Sequence, residues 1–452
     1  LDDTKKRAEK VGWHDQTQSV FASVEVGWKQ MLYLTATGRN DWASQIAGSP
    51  SKSFFYPSVG LSWVPSSTWD LGNAFSYLKL RGSIASVGLP FPRFLTTPTY
   101  EYDATGKIWK DKTHYPIGDL KPERTITYEV GIDARLWKNI SLSASWYSAD
   151  TKNQTFDPAL PPSSSYTTIY LQTGHVRNTG VELSLGYSNQ WRDFGWSSNF
   201  TFSWNKNEIV DLASGALNPV TGQPLNLSEL DIKGLGKAKY ILKQGGTLGD
   251  LYTTSDLKFN DNGYVEVDKA GNLLLTDEGE QIYLGSVFPS ENLAWRNDFR
   301  YKGINLGLLF TGRIGGICYS ATQANMDLYG VSEVSAAARD AGGVLINGRE
   351  MVDAQKWYQA IGSQSGLPQY YTYSATNFRL QELSLGYTLP RKWFRNKMVL
   401  TVSFVGRNLW MIYCKAPFDP EAVASTGLSY QGIDYFMMPS LRSLGFNVKF
   451  EF

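Results

Sequence analysis

Segments of about ten residues with alternating apolar and polar side chains recur along the whole chain. In one of them Val181, Leu183 and Leu185 alternate with Glu182 and Ser184. This period of two is typical of a β-strand with one apolar and one polar face, because successive side chains point to opposite faces. The pattern predicts an all-β chain of about thirteen strands. They are predicted at residues 19–28, 31–42, 54–64, 77–88, 124–137, 140–150, 178–191, 196–210, 291–301, 304–316, 377–390, 397–409 and 440–452.

The connections between the predicted strands are of two kinds, very short and very long. The short ones are the turns at Lys29-Gln30, Lys138-Asn139 and Lys302-Gly303 and the links at 192–195 and 391–396. The long ones are residues 89–123, 151–177, 211–290, 317–376 and 410–439. Short periplasmic turns on one side and long extracellular loops on the other are typical of outer-membrane barrels. We therefore expect a transmembrane antiparallel β-barrel whose apolar face contacts the lipid bilayer and whose polar face lines a wet interior.

Composition narrows the classes of function. No apolar run approaches the roughly 18 residues that a membrane-spanning helix needs. The 43 Lys and Arg residues nearly balance the 42 Asp and Glu residues, so the chain has no basic footprint for nucleic acid. The three histidines and two cysteines have no metal-ligand spacing. We therefore expect no metal and no cofactor.

The number of strands also has a consequence. Single-chain bacterial barrels usually have an even number of strands, whereas thirteen are predicted here. The last strand follows a long loop, which places the C-terminus on the short-turn side, and counting back places Leu1 on the long-loop side. We therefore expect the chain to begin partway through a barrel whose other strands lie upstream.

Several motifs, taken in order, resemble those of a known family. They are GRNDW (38–42), FFYPSVGLSWV (54–64), LKLRGSIASVG (78–88), NTGVELSLGY (178–187), FRLQELSLGYTLP (378–390), GRNLW (406–410), FDPE (418–421) and LGFNVKFEF (444–452). Together they resemble the SusC/RagA family of TonB-linked outer-membrane proteins over essentially the whole chain. The resemblance implies a barrel of about 22 strands around a plug, with residues 1–452 as its C-terminal part. It also implies that the plug, the N-terminal extension and the TonB box are absent from this chain.

The resemblance implies a function as well. SusC-type proteins import a nutrient, usually an oligosaccharide and sometimes a peptide, across the outer membrane of Gram-negative bacteria. A SusD-like lipoprotein lid sits on the extracellular loops, TonB acts through the plug, and two such pairs can form a dimer. The implied partners are therefore the lid, TonB, the remaining N-terminal part of the barrel and the lipid bilayer, with no nucleic acid.

Several alternatives stay open beside glycan import. An importer of oligopeptides would share every feature above. A passive porin shares the alternation of loop lengths, although porins typically have fewer strands and shorter loops. A siderophore receptor shares the fold and the energy source, but the ordered motifs argue against it. The sequence has no G-x-S-x-G or H-E-x-x-H motif and no plausible nucleophile–base pair, so we do not expect an enzyme.

Aromatic side chains of the long loops are the candidate substrate-binding residues. Such side chains could stack on sugar rings or contact the lid, and they could equally pack the loops against one another. They are Trp109, Tyr115, Tyr166, Tyr170, Trp357, Tyr370 and Tyr371.

Two further features of the long loops are ambiguous. Residues 256–279 are rich in Asp and Asn but lack the spacing of a calcium-binding loop. The turn dipeptides Asn262-Gly263 and Ala270-Gly271 instead predict a small hairpin. Cys318 and Cys414 are both expected at extracellular strand ends, which leaves a disulfide between them open.

The C-terminus is a strand that ends on its apolar face. Leu444, Phe446, Val448, Phe450 and Phe452 alternate with polar or small residues to the last position. In outer-membrane proteins generally, such an aromatic terminus resembles the signal that the assembly machinery recognises. We therefore expect Phe446, Val448, Phe450 and Phe452 to form that barrel-assembly signal and to face lipid.

Overall fold

The structure is a computed structural model. It describes residues 12, 14–92, 95, 100–103, 107–111, 114–115, 120–156, 168–212, 223, 227–276, 279–425, 427 and 430–452. Within these residues the three α-helices are α1 (Ala321–Leu328), α2 (Glu333–Asp340) and α3 (Ala354–Ile361). No helix among the described residues is long and apolar enough to cross a membrane.

The wall of the molecule is a single antiparallel sheet of thirteen strands in chain order. Its strands are β1 (Thr17–Trp28), β2 (Leu32–Ala43), β3 (Phe54–Trp63), β4 (Phe75–Leu89), β5 (Glu123–Leu136), β6 (Ile140–Phe156), β7 (Leu171–Trp191), β8 (Phe194–Asp211), β9 (Glu291–Tyr301), β10 (Ile304–Ile314), β11 (Asn377–Thr388), β12 (Val399–Cys414) and β13 (Ser443–Glu451). All thirteen strands predicted from the alternation are confirmed, as is their chain order.

Several strands are longer than the alternation predicts. β6 and β7 continue pairing as far as Phe156 and Leu171, although the register shifts twice along the way. β12 likewise reaches Cys414, past two shifts in its pairing with β11. These extensions lie beyond the apolar band, where a strand no longer needs strict alternation. For that reason the sequence pattern did not indicate them.

The short turns use backbone conformations that L-residues rarely adopt. Lys29 and Gln30 both have positive φ, at 48° and 55°, which fits the type I′ turn that matches the twist of a hairpin. The turn between β5 and β6 was predicted one residue too late. The positive φ angles there belong to Trp137 and Lys138, because Asn139 donates its N–H to the carbonyl of Leu136 and closes the turn.

The register sorts the side chains of the wall into two faces. Trp146, Val181 and Trp204 lie in one cross-strand row of β6, β7 and β8, and Ser145, Glu182 and Ser203 lie in the adjacent row on the other face. The same separation extends from β1 to β13. The apolar face carries exposed Val, Leu, Phe and Trp side chains along every strand of the sheet, which is typical of a surface that contacts lipid.

The long loops at one end of the wall fold into a compact unit that we call the crown, formed by the described parts of residues 212–290, 315–376 and 415–442. Its strands form a four-stranded sheet, a three-stranded sheet and a hairpin. They are Glu229–Leu235, Ala238–Lys243, Asp250–Thr253 and Ile282–Ser286; Ile317–Ser320, Thr372–Ser374 and Ile433–Asp434; and Val344–Ile346 with Glu350–Val352. Further loop strands are Tyr100–Asp103, Ile108–Asp111, His114–Tyr115 and Thr168–Ile169.

The crown has a hydrophobic core of its own. Tyr240, Leu251, Tyr319 and Leu367 are fully buried in it, and Ile209 from the end of β8 joins the same cluster. The core therefore attaches to the polar side of the wall, because Ile209 alternates with the outward residues of β8. A second, smaller cluster of Ile46, Phe91, Leu95 and Leu120 joins the loops after β2 and β4.

The two outer strands of the wall are paired on one side only. Within the described residues β1 pairs with β2 and β13 pairs with β12, and neither has a second neighbour. The sheet is therefore open at both edges.

Candidate functional site

The polar face of the wall is a candidate binding surface. On β6 to β9, two neighbouring cross-strand rows carry five hydroxyl side chains, one carboxyl, one amide and one methyl group. They are Ser145, Glu182, Ser203 and Asn292 in one row and Ser143, Ser184, Thr201 and Ala294 in the other. These rows line a recess of about 350 Å³ that also includes Arg81. Short hydroxyl side chains leave room for a solute or for another protein segment, and they offer hydrogen bonds without a net charge.

Paired charges flank this recess. On one side Arg81 contacts Glu129 and lies 3.6 Å from the carboxylate of Asp133. On the other side Glu382 accepts a hydrogen bond from Arg407 at 3.2 Å and lies 3.5 Å from the guanidinium of Arg296. The first cluster has one basic and two acidic groups, and the second has two basic groups and one acidic group. The two clusters together therefore carry equal numbers of both signs, and the polar face as a whole has no strong field of either sign.

The loop aromatics predicted to bind substrate lie in different environments. Trp109 is exposed on the hairpin strand Ile108–Asp111, and Tyr170 is partly buried against the smaller loop cluster. Tyr115 belongs to the strand His114–Tyr115, which pairs with Thr168–Ile169, and Tyr166 lies outside the described residues. The role of these four residues in binding stays a prediction.

Trp357, Tyr370 and Tyr371 meet on one side of the crown. The rings of Trp357 and Tyr370 make an edge-to-face contact at 6.2 Å, and Tyr371 is fully buried in the crown core. Burial raises the pKa of Tyr370 to about 12, with a smaller contribution from Asp256, and it raises the pKa of Tyr371 strongly. Both phenols are therefore neutral at physiological pH. Tyr371 packs the loops together, whereas Tyr370 keeps part of its ring exposed.

The Asp- and Asn-rich segment of the crown has two tight turns and three extended arms joined by isolated β-bridges, one arm more than the predicted hairpin. Gly263 and Gly271 have positive φ at its two turns, as the predicted turn dipeptides require. Asn260 and Asp268 each use one side-chain oxygen to accept two backbone N–H groups of their own turn. These hydrogen bonds lower the pKa of Asp268. The polar side chains thus close turns, and among the described residues no cluster of His, Cys, Asp or Glu could hold a metal ion.

The FDPE motif is part of a buried ion-pair network that we call the loop clamp, formed by Arg379, Asp419, Asn408 and Ser440. The guanidinium of Arg379 makes two contacts with the Asp419 carboxylate, at 2.9 and 3.1 Å, and a third with Glu421 at 3.1 Å. Ser440 also donates to Asp419. The clamp therefore fastens the last long loop to β11. The FDPE motif by itself indicated the family resemblance and not this structural role.

The GRNLW motif (406–410) connects the loop clamp to the residues just before β13. Asn408 has a φ of 51° at a bulge in β12, where the pairing with β11 shifts between Arg407 and Trp410. Its side-chain amide donates to Ser440 at 3.0 Å, just before β13 begins. The bulge turns this side chain out of the strand pattern and toward the loop. The sequence pattern did not indicate this bulge, because Asn also occupies regular strand positions in this sheet, as at Asn199 and Asn205.

The residues of the predicted assembly signal lie on the apolar face of the edge strand β13. Phe446 packs edge-to-face against Phe404 of β12 at 5.8 Å, and Val448 and Phe450 oppose Val402 and Leu400. Phe452 follows the strand and is 95% exposed. The expected apolar face of this strand is confirmed, whereas its recognition by an assembly machinery stays a prediction. In the crown and at the end of β12, Cys318 and Cys414 are both free thiols.

These features are those of a TonB-dependent receptor barrel. Residues 8–280 match the family model described as TonB dependent receptor-like, beta-barrel. The chain belongs to this family, whose members are outer-membrane proteins of Gram-negative bacteria. The resemblance read from the strand motifs is thereby confirmed.

Individual relatives and solved structures agree with the family. TonB-dependent receptor P3 of Formosa agariphila is 24% identical over 96% of this chain and 45% of its own length. TonB-dependent receptor SusC of Bacteroides thetaiotaomicron is 20% identical over 74% of this chain and 32% of its own length. Among solved structures, the RagAB peptide importer in its closed-closed state has a TM-score of 0.73 at 20% identity, covering 96% of this chain and 47% of that one. This chain thus spans about half the length of TonB-dependent receptor P3 and of the RagAB chain.

Proposed function

We propose that this chain acts in TonB-dependent import of a nutrient across the outer membrane. The observation that carries the proposal is the wall itself. Thirteen strands present an apolar face on one side and a hydroxyl-rich, charge-balanced face on the other, in a chain of the TonB-dependent receptor family. An apolar exterior suits lipid and a polar interior suits a hydrated solute path.

We also propose that the chain is the C-terminal part of a larger barrel of about 22 strands. Two observations support this. In the described part of the chain the sheet has two unpaired edges, β1 and β13, and unpaired strand edges are too costly to face hydrocarbon. The chain also covers only 45% of TonB-dependent receptor P3. A plug and a TonB box would then belong to the remainder of the protein, and the polar face of this wall would surround that plug.

The partner that fits the crown is a SusD-like surface lipoprotein. The crown hairpin places Leu345 directly opposite Met351, and both side chains are exposed. Adjacent exposed apolar side chains on a well-packed unit suit a protein partner. A dimer of such receptor–lipoprotein pairs follows from the SusC resemblance.

The proposed substrate is an oligosaccharide, with an oligopeptide as the alternative. The hydroxyl-rich recess at Ser143 to Asn292 could hydrogen-bond a neutral glycan, and the paired charges of Arg81 and Glu382 could meet the charged groups of a peptide. The RagAB peptide importer has a similar fold, so an oligopeptide stays the alternative substrate.

The function is tested by uptake in the organism that makes the protein. Deleting the gene should abolish uptake of one labelled member of a panel of oligosaccharides and peptides, and dissipating the proton-motive force should abolish the same uptake in the parent strain. Uptake that persists without the proton-motive force would instead indicate a passive pore. Purification in mild detergent should recover a SusD-like lipoprotein with the receptor, and recovery of the receptor alone would count against the lid.

A further inference from the structure

Four basic side chains lie on the outward face of the wall, just beyond its apolar band. The register fixes that face. Arg177 is four residues from Val181, which points outward, so Arg177 points outward as well. Asp150 opposes Arg177 and is likewise four residues from the outward Trp146. The four side chains come from four consecutive strands of the sheet. They are Arg124 of β5, Lys152 of β6, Arg177 of β7 and Lys206 of β8.

All four lie at nearly the same height above the short turns. Their distances from the short-turn end of their own strands are twelve, twelve, fourteen and twelve residues, counted from Leu136, Ile140, Trp191 and Phe194. At about 3.4 Å per residue and a strand tilt of about 40°, twelve residues rise about 31 Å. The apolar band of such barrels is about 25 Å tall, so these side chains lie at its outer boundary.

The acidic side chains on the same face are less exposed than the basic ones that they pair with. Asp150 accepts from Arg177 at 2.9 Å and shares a hydrogen bond of 2.7 Å with His175. Its side chain is 19% exposed, whereas that of Arg177 is 45% exposed. Lys206, 60% exposed, pairs with the less exposed Glu208 at 2.8 Å. The cationic side chain is therefore the more exposed member of each pair.

The other two basic side chains are not neutralised within the described residues. Arg124 is exposed and donates to the hydroxyl of Ser86 at 2.9 Å, and no carboxylate of the described chain pairs with it or with the exposed Lys152. In the described strands, the remaining outward positions at this height carry no Lys or Arg. The positive charge is thus concentrated on β5 to β8.

We propose that Arg124, Lys152, Arg177 and Lys206 bind a phosphorylated glycolipid of the outer leaflet. Its phosphate groups meet the basic side chains, since Arg and Lys are strong phosphate binders. Its acyl chains lie along the apolar face below, against the exposed Tyr128 and Trp146. The inference rests on the proposed outer-membrane function, which makes the long-loop side the outer leaflet.

The test compares lipid binding by the receptor and two variants, each purified from outer membranes in mild detergent. The first variant combines R124Q, K152Q and K206Q and leaves Arg177 in place to hold Asp150. The matched control combines K29Q, K138Q and K302Q, three exposed lysines of the short turns. The probes are diphosphoryl lipid A and the same lipid with its phosphates removed, with inorganic phosphate as a competitor.

We expect the first variant to bind diphosphoryl lipid A at least tenfold more weakly than the unmodified receptor, and the control to bind it unchanged. Equal binding of the two lipids by the unmodified receptor, or equal losses in both variants, would overturn the lipid site. So would full displacement of the lipid by millimolar inorganic phosphate. Membrane fractionation and uptake are measured on the same strains. They distinguish the absence of a lipid site from a failure of the import function, in which the receptor is absent from the outer membrane or transports nothing.

Discussion

Arg379 and Asp419 join the wall to the last long loop through a two-point ion pair that is almost completely buried. The guanidinium side chain is 4% exposed and the carboxylate 10% exposed. Two buried charges stabilise a fold only together, because removing one partner leaves the other in a poorly solvating environment.

We therefore expect R379Q to destabilise the protein by about 3–5 kcal/mol, as for other buried pairs that lose one partner. The measurement is thermal unfolding of the detergent-solubilised receptor. R313Q is the matched control, because Arg313 is half-exposed and lies 3.5 Å from Glu421. Exposed pairs contribute at most about 1 kcal/mol. Similar losses in the two variants would show that the clamp does not depend on burial.

The loop clamp should also make the thermal stability of the protein depend on pH in the acid range. Burial by itself would raise the pKa of Asp419, but hydrogen bonds from Arg379, Ser440 and the N–H of Glu421 bring it below its ordinary value. A carboxylate whose pKa is lower in the folded protein contributes stability above its unfolded pKa of about 3.9 and loses that contribution as the pH falls further.

We expect the melting temperature to fall steeply below about pH 4. In D419N the melting temperature should be lower at pH 7, and the part of the acid dependence that comes from this carboxylate should be gone. Melting curves between pH 3 and pH 7 provide the comparison. A variant whose curve keeps the full acid slope would assign that slope to other carboxylates.

Two buried tyrosines of the crown differ in one hydrogen bond. The hydroxyl of Tyr240 donates to the carbonyl of Gln431, whereas the hydroxyl of Tyr319 has no hydrogen-bond partner in the described structure. Burial raises the pKa of both phenols. We expect Y319F to stabilise the crown by about 1 kcal/mol and Y240F to destabilise it by about 1 kcal/mol. Thermal melts of the two variants test this, and a destabilised Y319F would reveal a partner for that hydroxyl.

The last residue should matter for assembly more than for stability. Phe452 follows β13 and is almost fully exposed, so deleting it removes little packing. We expect the deletion to lower the amount of receptor in the outer membrane several-fold while the assembled fraction melts normally. F404A is the control, because it removes the ring contact with Phe446 but leaves every residue of the predicted signal in place. Normal surface levels after the deletion would remove the proposed recognition role.

The exposed crown hairpin should contribute to lid binding. A charge at Leu345 or Met351 would be placed in the apolar part of the proposed interface, so we expect L345E combined with M351E to lower co-purification of the lipoprotein at least tenfold. I108E is a suitable control, since Ile108 is also exposed but lies on a different loop hairpin. Unchanged recovery with the double variant would locate the lid elsewhere on the loops.

The wall could be predicted from sequence because its physical constraint is local. A strand with lipid on one side and water on the other must alternate, so residues such as Val181 and Glu182 identify both the strand and its faces. The alternation of short and long connections between the strands then indicated a barrel. The turn at Trp137 and Lys138 was misplaced by one residue, because the alternation does not fix which residues adopt positive φ.

The crown could not be predicted in the same way, because its contacts join distant segments. Tyr240 reaches Gln431, and the strand at Ile317–Ser320 pairs with Ile433–Asp434. Nothing in the local pattern around Asp419 indicated that its partner would be Arg379. The loop aromatics illustrate the same limit: Tyr370 and Tyr371 are adjacent in sequence, yet one keeps part of its ring exposed and the other is fully buried.

The pairing of residues 317–320 with residues 433–434 has a consequence for the order of events during biogenesis. The strand at 433–434 precedes β13 directly, so the three-stranded sheet of the crown cannot close until nearly the whole chain has passed through the membrane. Until then, the hydrophobic residues of the 212–290 loop lack part of their final core on the extracellular side. Contacts of such long sequence separation form slowly. Maturation of the extracellular surface is therefore expected to be the last and slowest step, after the wall is in place.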